Sequence, residues 1–61
     1  MSIRMLAIEL YRAMKEVEEL EKRIESLAPG DFQRESLNER LRAARGEAKR
    51  IRTLLDGAKD G

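Results

Sequence analysis

Residues 3–27 read IRMLAIELYRAMKEVEELEKRIESL. Within this stretch Ile3, Leu6, Leu10, Ala13, Val17, Leu20, Ile24 and Leu27 recur at spacings that alternate between three and four residues. That spacing keeps every one of them on a single side of an α-helix and makes an unbroken heptad seam. A helix with such a stripe is stable only when the stripe is laid against another helix, so the stretch specifies packing. It names no ligand and no reaction.

Outward from this run, the pattern breaks at Leu27-Ala28-Pro29-Gly30-Asp31. Pro29 disfavours helical geometry at Ala28, Gly30 permits a left-handed turn, and Asp31 can accept hydrogen bonds from free amides as the cap of a following helix. A second seam then runs through Leu37, Leu41, Ala44, Ala48, Ile51 and Leu55, extending to Ala58. Two matching seams joined by a short breaker specify an all-α chain folded as an antiparallel two-helix hairpin. The expected bounds over residues 1–61 are a first helix of about 2–28, a turn of 29–31 and a second helix of about 32–57. Gly57 and Gly61 should close that helix and leave 58–61 frayed.

Two registers compete. If the second helix starts at Asp31, facing seam residues have numbers summing to 61: Leu27 with Arg34, Ile24 with Leu37, Leu20 with Leu41, Val17 with Ala44, Ala13 with Ala48, Leu10 with Ile51 and Leu6 with Leu55. This register also sets Arg23 near Arg40 and Glu16 near Glu47, which is unfavourable. Alternatively Ser36-Leu37-Asn38-Glu39 is a capping box, and a loop over 28–36 slides the pairing by one heptad. Leu27 then meets Leu41, and the flanks become Arg23 with Glu47 and Glu21 with Arg45. Exposed ion pairs contribute only about 0–1 kcal/mol, whereas the slid register lengthens the loop and bares the end of a seam, so the short loop is favoured. Its middle layers, Val17 with Ala44 and Ala13 with Ala48, are small and leave the hairpin thin at the waist.

Composition narrows the function. A chain of 61 residues has room for one structural unit and can barely bury a core; natural chains this short usually add a staple. With no Cys and no His, disulfides, thiolate chemistry and the commonest zinc ligands are excluded, which leaves self-association as the staple. A chain that is 41% charged and carries one Tyr and one Phe has the profile of a long-helix protein. No Gly-rich phosphate loop is present, and no acid sits on a seam where burial could shift its pKa, so no catalytic residues are assigned and a non-enzyme is expected. Glu16, Glu18, Glu19, Glu21 and Glu25 lie off the seam, so they read as a solvated face, with Glu18–Lys22 and Glu19–Arg23 pairs, and no metal or cofactor is expected. No apolar run nears a membrane span, and Arg4, Glu9 and Arg12 interrupt the N-terminal segment, so a cytoplasmic location is expected.

Ten of residues 1–14 are apolar, more than one seam uses. Met5, Ile8, Tyr11 and Met14 fall outside the stripe, and in a two-helix hairpin Met5, Ile8 and Tyr11 would face water on the back of the helix. With Met1 they form a soft, adaptable cluster suited to self-contact, to another protein or to a membrane surface, in that order of preference. The open end therefore gathers the candidate interface: Ile3, Met5, Leu6, Ile8, Leu10, Tyr11 and Met14 beside Ile51, Leu54 and Leu55. Phe32, just after the break, is expected to fold back over the loop end against Leu27 or Ala28.

A second candidate surface is the stripe Arg42, Arg45, Lys49 and Arg52, which could follow a phosphate backbone. A net charge of +1 and the lack of interleaved aromatics argue instead for a solvated flank. In layout the chain is similar to the small plasmid-encoded RNA-binding hairpins that dimerise as four-helix bundles, although no residue motif of that family is present. The expectation is a hairpin that dimerises into a four-helix bundle and acts as a small interaction or scaffold protein. An RNA-binding regulator using the basic face of the second helix is the alternative.

Overall fold

The computed structural model describes residues 2–60, which form two helices, α1 (Ile3–Ser26) and α2 (Gln33–Asp60), packed against each other as an antiparallel hairpin. Among the described residues there is no strand. The helices contain 24 and 28 residues, and together they make a rod of 48 × 14 × 14 Å. Met1, counted above with the soft cluster, and Gly61, expected to close α2, lie outside the described residues.

α1 is started by Ser2, whose backbone is extended and whose Oγ accepts the Met5 N–H at 3.1 Å. A serine directly before the first periodic apolar residue is a recognisable N-cap signal. At the other end α1 stops at Ser26, and Leu27 is extended at φ −82°, ψ 148°. The Asp31 N–H then bonds the Ala28 carbonyl at 3.0 Å, closing a turn over Pro29 and Gly30. Asp31 caps α2 as expected, its Oδ1 accepting the Gln33 N–H at 2.8 Å while its carbonyl accepts the Arg34 N–H at 3.1 Å.

Three local expectations are corrected. Gly30 is not left-handed, since no described glycine has positive φ; the extended Leu27 and the hydrogen-bonded turn together reverse the chain without it. Phe32 does not fold back over the loop, and 87% of it is exposed. Arg34 occupies that end instead, its Nη1 donating to the Ile24 carbonyl at 3.4 Å. Finally, α2 does not stop at Gly57 but continues to Asp60. A glycine permits a helix stop without enforcing one.

The core has the short-loop register. Leu20, Ile24, Leu37, Leu41 and Ala44 form one cluster, with Val17 and Leu27 against it, and Leu6, Ala13, Ile51 and Leu55 form another, with Leu10 and Ala48 against it. The division falls at the alanine waist, where Val17–Ala44 and Ala13–Ala48 meet. Ser36 lies inside α2 and caps nothing, which removes the slid alternative. No described side chain is fully enclosed: Leu6, Leu20 and Ile51, the most buried, each keep 5% of their surface. Two helices offer each seam residue one facing neighbour, so solvent reaches every layer from both sides.

Candidate self-association surface

The ten residues gathered at the open end fall into two groups. Leu6, Ile51 and Leu55 are buried and Leu10 is half-buried, all within the hairpin's own seam. Ile3, Met5, Ile8, Met14, Leu54 and Tyr11, the last 64% exposed, project into solvent. The heptad positions explain the division, because Met5, Ile8, Tyr11 and Met14 lie off the stripe that faces α2. Ile3 does lie on the stripe, but it faces Ala58 in the last layer, and both stay exposed because no further layer covers them.

The exposed residues border grooves between the helices. On one side a groove of about 370 Å³ has Leu10, Met14 and Val17 on its α1 wall and Ala48 on its α2 wall, rimmed by Glu18, Arg45, Lys49 and Arg52. Past Glu18 it leads toward the turn as a groove of about 460 Å³ lined by Glu21, Ile24, Glu25, Asn38 and Leu41. Arg45 Nη2 donates to Glu21 Oε2 at 2.5 Å across this side. That pair was expected of the slid register; it forms in the short-loop register because the guanidinium reaches one turn along the groove.

The opposite side is more polar. A groove of about 480 Å³ there is lined by Glu16, Glu19, Arg23 and Arg40, with Tyr11, Arg12 and Lys15 along α1. Glu47, expected beside Glu16, pairs with Arg50 on its own helix instead, which relieves one like-charge contact. Arg23 and Arg40 still line one groove. The Lys15 ammonium stands 6.0 Å from the Tyr11 ring centroid. Glu18–Lys22 and Glu19–Arg23 do not close into ion pairs, in keeping with the small gain such exposed pairs bring.

The basic stripe is real as geometry: Arg42, Arg45, Lys49 and Arg52 are all exposed, and three of them rim the same groove. Its charge is partly cancelled, since Arg45 is engaged by Glu21 and Glu18 shares the rim. Among the described residues no group of acids converges in the manner of a metal site, and no helix is long and apolar enough to cross a membrane. Comparison with protein-family models, with curated proteins and with solved structures gave no match.

Proposed function

We propose that this chain is a small, non-enzymatic helical interaction protein that works as a homodimer, two hairpins forming a four-helix bundle that serves as a scaffold. The observation that carries this reading is surface area. The hairpin exposes 5032 Å², whereas a compact monomer of 7.0 kDa exposes about 4,000 Å². The excess, about 1,000 Å² per chain, amounts to about 2,000 Å² for a pair, within the range of obligate homodimer interfaces. Much of the exposed apolar surface is on one helix, where Met5, Ile8, Tyr11 and Met14 stand outside a seam that is already filled.

Sedimentation equilibrium tests the reading, and a mass twice that of the chain is expected at micromolar concentration. A helical species of single-chain mass under those conditions overturns it. The second reading, nucleic-acid binding, is favoured by the exposure of Arg42, Arg45, Lys49 and Arg52 along one face. It requires salt-dependent RNA or DNA binding that weakens in the R45E/K49E variant; no binding at low salt removes it.

A further inference from the structure

Resting on the dimer reading, we propose that the partner is a second copy docked into the groove between Met14 and Lys49, with the two-fold axis parallel to the rod, so that both turns lie at the same end. The first observation is a second stripe on α1. Ile3, Ala7, Leu10, Met14 and Val17 follow one another at spacings of four and three, and the stripe ends at Glu21. It shares Ile3, Leu10 and Val17 with the intramolecular seam but leans toward the groove that Leu10, Met14 and Val17 line. A helix in a bundle needs two such stripes, because it touches two neighbours. α2 meets only one of them.

Charge selects the orientation. The α2 rim of this face carries Arg45, Lys49 and Arg52, with Arg42 next along the same stripe, and the α1 rim carries Glu18, Glu21 and Glu25 against the single base Lys22. Internally only Glu21 and Arg45 are joined. A two-fold parallel to the rod lays α1 of one copy antiparallel over α2 of the other at the same height. In that arrangement Glu18 can reach Lys49 of the partner subunit, and Glu25 can reach Arg42 of the partner subunit, each along the groove by more than a turn, much as Glu21 and Arg45 reach each other within the hairpin. Each pair occurs twice, and Met14 and the half-buried Ala48 are covered between them. A two-fold perpendicular to the rod stacks α2 on α2 instead, facing Arg45, Lys49 and Arg52 with their own copies, and sets Ala7 against Glu21. Like charges opposed in that way oppose association.

The chain has no cysteine, so single Cys substitutions report geometry without interference. Glu18 and Lys49 are both exposed, and neither makes an ion pair in the hairpin, so E18C and K49C should leave the fold intact, as circular dichroism will show. On treatment of an equal mixture of the two variants with a flexible bis-maleimide, which can span the roughly 9 Å that six helical residues set between the two positions along the rod where a disulfide could not, the cross-linked heterodimer is expected well in excess of either homodimer. A dimer in which K49C links to itself, or in which the mixture forms no heterodimer link, overturns this orientation while leaving self-association standing. A single-chain mass for the unsubstituted protein overturns the dimer reading itself. As a second measurement, E18K/E25K and R42E/K49E should each dimerise more weakly than the parent, and mixing them should restore the dimer. Failure to restore it also overturns the orientation.

Discussion

Gly46 stands in the middle of α2, and nothing lies within 4 Å of the place a Cβ would occupy. Gly46→Ala should therefore stabilise the protein by about 1 kcal/mol through helix propensity alone, read as a shift of the urea midpoint at unchanged slope. A destabilised variant would show that another helix approaches at this spot. Phe32 makes the opposite kind of test: it is the largest exposed apolar side chain near the turn, and the fold does not use it. Phe32→Ser is expected to change stability by no more than about 0.5 kcal/mol, and a larger loss in thermal melts would mean that Phe32 is covered in the assembled protein.

Helix boundaries are where small polar groups decide the outcome. Asp31 takes the Gln33 amide on its side chain, whereas Ser36 sits inside α2 and has no capping to do. Asp31→Ala should cost about 1 kcal/mol, whereas Ser36→Ala should stabilise the helix by a few tenths. Chemical denaturation of the two variants side by side measures the difference, and the reverse order would revive the longer loop. The same reasoning explains why α2 outruns its expected stop. Gly57 and the polar residues beyond it weaken a helix, yet nothing after Asp56 turns the chain away, so the hydrogen-bond ladder continues to Asp60.

At the scale of the whole molecule, the two sides of α1 should respond differently to a buried charge. Ile51 is held among Leu6, Ala13 and Leu55, so Ile51→Glu should cost about 3 kcal/mol or more and unfold the hairpin. Met14 lies outside that cluster on the groove wall, so Met14→Glu should leave a helical hairpin but shift sedimentation toward the single-chain mass. Circular dichroism combined with sedimentation separates the two outcomes. Equal loss of helicity in both variants would mean that the hairpin does not hold together without its partner, which would tie folding to dimerisation.

Much of this architecture follows from residue spacing alone. Seams at three and four residues from Ile3 to Leu27 and from Leu37 to Leu55, interrupted at Pro29-Gly30, leave an antiparallel hairpin as the economical way to bury both. The choice of register also followed from sequence, because a one-heptad slide strands seam residues whose burial outweighs any gain from exposed ion pairs. Other features depended on three-dimensional context. Arg34 rather than Phe32 stands over the loop end, where its guanidinium donates to the Ile24 carbonyl, a bond a phenyl ring cannot make. Gly30 needs no left-handed conformation, because the extended Leu27 and the turn closed between Ala28 and Asp31 together reverse the chain. The candidate surface was partly visible in advance: the excess of apolar residues in 1–14 marked the right end of the molecule, but a count cannot say which of them the hairpin consumes. Only the packed helices separated Leu6, Ile51 and Leu55, which face across the seam, from Met14 and Tyr11, which do not. Periodicity along one chain reports that a residue must be covered; what covers it depends on the crossing of two helices, and that is a property of the fold.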